Sequence, residues 1–338
     1  MRVLVVDDDG ITGEMLENSL GRFGYEVTVA ADGKEAFDLI RSGLYRLVVC
    51  DWEMPEMSGL ELCRQVRQRR WSGYIYVIIL TGHGGVGNVV CGLDAGADDY
   101  LTKPFQPDEL GRRLRVGERV LSLEARDLTI FALAKLAESR DIETGVHLER
   151  MREYCRILAE EISKCEEYQD VVDGQYVELI YLTSPLHDIG KVGIPDRVLL
   201  KPGRLTREEF EIMKQHTVIG GNTLNAAAMA HPEAEYLLMA RDIALTHHER
   251  FDGKGYPRGL SGEEIPLCGR IVALADVYDA LTSKRIYKPE YSHEIAKAII
   301  MDAEGTQFDP AIVSAFLNRE LDFLAVRRQF QMRLAAVG

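Results

Sequence analysis

The chain has 338 residues, 46% of them hydrophobic and 28% charged, with 40 Lys+Arg against 54 Asp+Glu for a formal net charge of -14. That length exceeds one ordinary core and points to about two domains; the composition excludes collagen-like, low-complexity and wholly disordered chains. So acidic a balance argues against DNA binding or membrane attachment, both of which depend on basic patches, and the first 120 residues hide none, with 19 acids against 14 bases.

No apolar run approaches the ~18 residues of a membrane-spanning helix, so no membrane insertion is expected. The stretch Val3–Val6 ends at Asp7-Asp8-Asp9, short of the roughly 7–15-residue apolar core of a signal peptide. Cysteines at 50, 63, 91, 155, 165 and 268 show no CxxC spacing. They read as reduced thiols of a cytoplasmic protein.

In the first hundred residues, short β-branched runs alternate with amphipathic stretches. Strands are expected at Arg2–Val6, Glu26–Ala30, Leu47–Cys50, Ile75–Leu80 and Asp99–Leu101, each nearly all apolar as in a parallel sheet buried on both faces. Helical spacing marks Thr12–Phe23, Gly33–Ser42 and Leu60–Arg70. Five strands alternating with helices predict a doubly wound α/β domain with a five-stranded parallel sheet.

From Pro107 the leucines at 110, 114, 121, 128 and 136, with Phe131, predict one long or slightly broken helix leading into a second domain. Its apolar stripe suits a core, an inter-domain seam or a dimerising coiled coil, with core or seam favoured. Beyond Ile142 helical periodicity dominates, at Leu148–Ile162, Val177–Pro185, Glu208–Leu224, Tyr236–His248, Arg270–Leu281, His293–Asp302 and Ala311–Ala325. Thr206 with Glu209, and Ser292 before His293-Glu294, are helix-start signals. The expected organisation is an α/β domain at 1–120, a helical linker at 121–139, an all-α domain at 140–326 and a solvated helical tail at 327–338.

In a doubly wound sheet, ligands bind where loops leave the carboxyl ends of the strands. Asp7 and Asp8 follow the first strand and Asp51 ends the third, so three carboxylates converge and call for a hard cation, for which Mg²⁺ is suited. Thr81 ends the fourth strand and Lys103 follows the fifth, adding a hydroxyl and an ammonium to the same rim. Such a set forms a phosphoryl acceptor site. Residues 1 to about 120 resemble the receiver domains of two-component response regulators, on Val5-Val6-Asp7-Asp8, the Asp51…Met54-Pro55…Gly59 loop, Leu80-Thr81 and Lys103-Pro104. The resemblance implies that Asp51 is the phosphoacceptor, that Asp7, Asp8 and the Glu53 carbonyl join it on Mg²⁺, and that Thr81, Tyr100 and Lys103 sense the phosphoryl group. It also implies a cognate sensor histidine kinase as partner.

Five of the eight histidines stand in telling contexts: His147 four residues after Glu143, His187 beside Asp188, His216 in mid-helix, and the pair His247-His248. Asp276 lies in an otherwise apolar helix, where a carboxylate is costly without a partner. His83, His231 and His293 read as surface or satisfied core residues. Imidazoles with carboxylates suit Fe, Mn, Ni, Co or Zn. Eight candidate ligands are too many for one ion, and a carboxylate such as Asp188 can bridge two metals about 3.5–4 Å apart.

This half resembles the HD-GYP subgroup of the HD-domain metal-dependent phosphohydrolases, from about Arg140 to Leu317. The motifs are Glu143-Thr144-Gly145-Val146-His147, Leu186-His187-Asp188-Ile189-Gly190-Lys191, Lys201-Pro202-Gly203-Arg204-Leu205-Thr206, His247-His248-Glu249-Arg250, Gly255-Tyr256-Pro257, Ala275-Asp276-Val277-Tyr278-Asp279 and Phe308-Asp309-Pro310. The resemblance implies hydrolysis of cyclic di-GMP to pGpG, and in many members of the family on to GMP, with two or three metal ions on Glu143, His147, His187, Asp188, His216, His247, His248 and Asp276. It places Lys191, Tyr256, Arg285 and Lys288 against substrate, with His187, Asp188 and Lys191 as the catalytic set.

The expected chemistry is attack of a metal-activated hydroxide on phosphorus, in line with the departing ribose 3′-oxygen. Two other outputs compete: an HD phosphohydrolase for another cyclic dinucleotide or nucleotide, and a phosphorylation-switched scaffold with little turnover. Diguanylate cyclase (GGDEF) domains and a second copy of the chain (a homodimer) are further candidate partners; DNA is not.

Overall fold

The computed structural model describes residues 1–69, 71, 73–82, 86–140, 146–283 and 290–337. They divide into two compact units, Met1–Leu128 and Thr129–Gly338.

The first unit runs β1 (Arg2–Val6), α1 (Gly10–Arg22), β2 (Glu26–Ala30), α2 (Gly33–Arg41), β3 (Leu47–Asp51), α3 (Gly59–Gln68), β4 (Tyr76–Thr81), α4 (Val86–Asp94), β5 (Asp99–Thr102) and the start of α5 (Pro107–Glu138), whose last residues belong to the second unit. All five strands are parallel, in the order β2-β1-β3-β4-β5. Alternate residues of each strand bury into opposite cores. Leu4, Val6, Val48, Cys50, Val77 and Ile79 face one side, and Val3, Val5, Val49, Ile78 and Leu80 the other. The helices start where side chains satisfy their free amides: Asp9 accepts from the Ile11 amide, Asp32 from Lys34 and Glu35, and Ser58 from Glu61. The expected strands match the observed ones to within a residue at each end. Helix α4 fills the expected alternation between β4 and β5, though no helical spacing marked its bounds in the sequence.

In the second unit the described residues form α6 (His147–Ile162), α7 (Gly174–Thr183), α8 (Asp196–Leu199), α9 (Arg207–Ala230), α10 (Glu235–Thr246), α11 (Leu267–Thr282), α12 (His293–Asp302), α13 (Pro310–Asn318) and α14 (Glu320–Val337). Thr206 and Glu209 form the capping box that opens α9, and Ser292 caps α12. Tyr154, Tyr278, Phe316 and Phe323 interlock at ring-centroid separations of 4.5–5.3 Å in the main core. Two expectations need correction. The stretch Ala311–Ala325 is two helices broken at Arg319, and the tail is not simply solvated, since Phe330 on α14 is buried. Of the three histidines set aside as structural, His83 lies outside the described residues, His231 is exposed, and His293 is buried and hydrogen-bonded through Nδ1 to the Tyr278 hydroxyl at 2.9 Å.

Candidate functional sites

The strand order of the first unit reverses between β1 and β3, and the carboxylates stand at the ends of these two strands. Ligand atoms of Asp7, Asp8 and Asp51 lie within 4.8 Å of one another. Lys103 Nζ bridges Asp7 Oδ2 and Asp51 Oδ2, 3.0 Å from each. Burial raises the pKa of Asp51 despite that ammonium, while the two carboxylates raise that of Lys103 against its burial. The Trp52 amide donates to Asp51 Oδ1 at 2.9 Å, and the Asp9 amide to Asp7 Oδ1 at 3.0 Å. Thr81 is buried at the end of β4 and pairs in register with Thr102. Tyr100 is partly buried against the core on one sheet face, and Glu53 is exposed. Gly59 closes the loop after Asp51; a Cβ there would lie 2.2 Å from the Asp51 carbonyl oxygen. An oxygen-only donor set with one balancing ammonium fits Mg²⁺.

In the second unit, α6, α9 and α11, the end of α10 and the turn after α7 bring seven of the eight expected ligands together in two groups. One is His147, His187 and Asp276; the other is Asp188, His216, His247 and His248; within each, the ligand atoms lie within 4.8 Å of one another. Glu143, Arg285 and Lys288 lie outside the described residues.

The ring orientations are set by hydrogen bonds at Nδ1. His187 donates to the Ser184 carbonyl at 2.9 Å, His216 to Met213 at 2.7 Å and His247 to Ile243 at 3.0 Å. A carbonyl only accepts, so each Nδ1 carries the proton, and a neutral ring then presents an Nε2 lone pair to the centre. Burial lowers the pKa of His216 to about 4, so its ring is neutral. Its Nε2 nevertheless lies 3.4 Å from Nε2 of His247 and 3.2 Å from Asp188 Oδ1. Lone pairs facing one another so closely repel unless a cation sits among them.

Nε2 of His187 and Oδ1 of Asp188 are buried with no hydrogen-bond partner among the described residues. Burial opposes ionisation of both, yet the Asp188 carboxylate raises the pKa of His187 and the Lys191 ammonium holds Asp188 well below the usual carboxylate range. Burial and the rings of His247 and His216 hold His248 well below the ordinary imidazole value. Nitrogen-rich donors, orphaned buried atoms and fixed tautomers fit divalent transition metals.

Two substrate-facing expectations adjoin the centre. Lys191 Nζ lies 2.9 Å from Asp188 Oδ2. The ring of Tyr256 overlaps that of His248 at 4.8 Å and 35°.

Comparison with known proteins agrees with this geometry in both units. The family described as the response regulator receiver domain matches residues 3–115, and the family described as the HD domain matches residues 133–312. A probable cyclic di-GMP phosphodiesterase of Vibrio cholerae is 39% identical over 97% of this chain and 80% of its own length. The cyclic di-GMP phosphodiesterase response regulator RpfG of Xanthomonas campestris is 36% identical over 100% of this chain and 93% of its own. A cyclic di-GMP phosphodiesterase of Thermotoga maritima is 37% identical, covering 97% and 93%. This chain belongs to the response regulators that join a receiver to an HD domain.

The HD domain also uses residues that the sequence reading passed over. His147 is the ligand candidate whose Nδ1 meets a carboxylate, Asp279 Oδ2, at 2.7 Å. Arg150 holds the same carboxylate through Nε at 2.6 Å and a terminal nitrogen at 2.8 Å, all buried. Arg150 and His147 hold Asp279 ionised against its burial. Glu249, also buried, accepts from the amides of Arg258 at 2.7 Å and of Gly259 and Leu260 at 3.1 Å, which anchors the loop behind Tyr256. Glu138, at the end of α5, lines a pocket with His147, His187, Asp188 and Lys191.

Proposed function

We propose that this chain is a phosphorylation-regulated cyclic di-GMP phosphodiesterase, yielding linear pGpG. The observation that carries the reading is the convergence of five imidazoles with Asp188 and Asp276 in two adjoining groups, in one of which Nε2 of His216 faces Nε2 of His247 at 3.4 Å. His147, His187 and Asp276 would hold one ion, and Asp188, His216, His247 and His248 another, with Glu143 as the eighth ligand. Fe, Mn, Ni, Co or Zn bound there supplies Lewis acidity toward phosphoryl oxygens and a water of lowered pKa. Lys191, held against Asp188, contributes positive charge where negative charge builds on phosphate. Tyr256, its ring against that of His248, would border the substrate, and Arg285 and Lys288 are assigned to phosphate or guanine.

In the receiver, Asp51 takes the phosphoryl group from a sensor histidine kinase. Asp7, Asp8 and the Glu53 carbonyl would hold Mg²⁺ together with it, and Thr81, Tyr100 and Lys103 would register the change. The test is metal-loaded protein with cyclic di-GMP, its products separated by chromatography. Linear pGpG, with or without GMP, is expected from the unaltered chain and neither from His187→Ala, Asp188→Ala; undiminished turnover in that double variant overturns the metal site.

A further inference from the structure

Beside Tyr256 stands an aromatic side chain that the activity has not yet used. Phe210 and Lys214 are four residues apart on α9 and so share one face, two residues before the ligand candidate His216. Phe210 is 44% exposed, unusual for an aromatic so near a polar centre. Its ring meets that of Tyr256 edge-on, at 6.1 Å and 81°. Lys214 Nζ lies 5.0 Å from the Phe210 centroid and 5.4 Å from that of Tyr256, and Glu211 steadies it at 2.8 Å. The platform is stiff: the Tyr256 amide donates to the His248 carbonyl at 3.2 Å, and Glu249 anchors the residues that follow. Gly255 admits no side chain, since a Cβ there would lie 2.3 Å from the Arg250 amide nitrogen.

We propose that Phe210 and Lys214 extend the substrate site beyond Tyr256 into a subsite for a guanine base; this rests on the cyclic dinucleotide reading above. An exposed aromatic face stacks on any nucleobase, because every base has a π-face. Lys214 supplies the selection. An ammonium has only donors, matching guanine O6 and N7, whereas adenine sets an amino donor where guanine has O6. With a scissile phosphate at the metal ligands, His248 and Tyr256 lead directly to this face, as a base leads from its phosphate.

Steady-state kinetics on the Mn²⁺-loaded full chain test the subsite. Phe210→Ala should raise KM for cyclic di-GMP about tenfold, with Phe210→Trp close to the unaltered value, as base stacking requires. The loss should be specific to base-bearing substrates, so methyl p-nitrophenyl phosphate, a diester without a base, serves as comparison. Lys214→Met should narrow the preference for cyclic di-GMP over cyclic di-AMP. A cyclic dinucleotide carrying 2-aminopurine should lose fluorescence on binding the unaltered chain and much less on binding Phe210→Ala. Equal losses on both diesters, or an unchanged KM, overturn the subsite. A chain that cleaves the base-free diester but no cyclic di-GMP overturns the substrate reading, and the subsite with it.

Discussion

At the scale of single residues, the two candidate ligand groups differ in how their histidines are held. His187, His216 and His247 lean on backbone carbonyls, but His147 leans on Asp279, an anion pinned by Arg150. A carboxylate behind an imidazole makes it a stronger donor and fixes its orientation, and losing such a partner typically costs 10–100-fold in metal affinity. Asp279→Asn should therefore weaken one ion, the one on His147, His187 and Asp276, by about 10–100-fold. The ion on Asp188, His216, His247 and His248 should stay, so calorimetric titration should show one tight and one weakened event. Parallel weakening of both would mean that Asp279 supports the fold rather than one position. Asp276 was legible in the sequence because a carboxylate amid apolar helix neighbours needs a partner. Asp279, three residues on, carried the same signal, but its partners come from 129 and 132 residues away, and spacing along α11 does not tell a ligand from the partner of a ligand.

Elements bring those ligands together through close backbone approach. The turn of Ile189–Gly193 lies against α9 so tightly that a Cβ on Gly190 would stand 1.9 Å from the His216 carbonyl oxygen. Gly190→Ala must push the turn carrying Asp188 and Lys191 away from His216. We expect a destabilisation of about 1–3 kcal/mol, the usual cost of overpacking, measured by denaturant unfolding, together with weaker metal binding. Unchanged stability and metal content would show that the turn gives way freely. Glu249→Gln probes the loop behind Tyr256: it removes the charge from three charge-assisted bonds, each worth about 1.5–3 kcal/mol. Its KM for cyclic di-GMP should rise more than its kcat falls; the reverse pattern would place Glu249 in the chemistry instead.

Elements are legible in the sequence where a local signal exists. Strand runs and the caps at Thr206 and Ser292 marked their elements closely. Elements are not legible where tertiary contacts decide. No glycine or proline marks the break at Arg319, whose side chain instead reaches Glu160 on α6 at 3.3 Å.

At the scale of the whole molecule, α5 is the element shared by both units. Leu110, Leu114 and Leu121 bury in a core of the first unit, and Ala134 with its partly buried neighbours Ile130 and Phe131 in a cluster of the second. The stripe read from the sequence is thus core at Leu110, Leu114 and Leu121 and partly buried at Phe131, but Leu136 is 67% exposed. Leu128, where the units divide, is 55% exposed. If phosphorylation at Asp51 acts on turnover through this helix, beryllofluoride with Mg²⁺ should change the rate of the unaltered chain and leave Asp51→Asn unmoved. Leu128→Pro removes no buried side chain but breaks the helical hydrogen bonding there, at a cost of about 3 kcal/mol. It should leave basal hydrolysis and beryllofluoride binding in place while abolishing the response of one to the other. A response that survives Leu128→Pro would require a route between the sites other than the continuous backbone of α5.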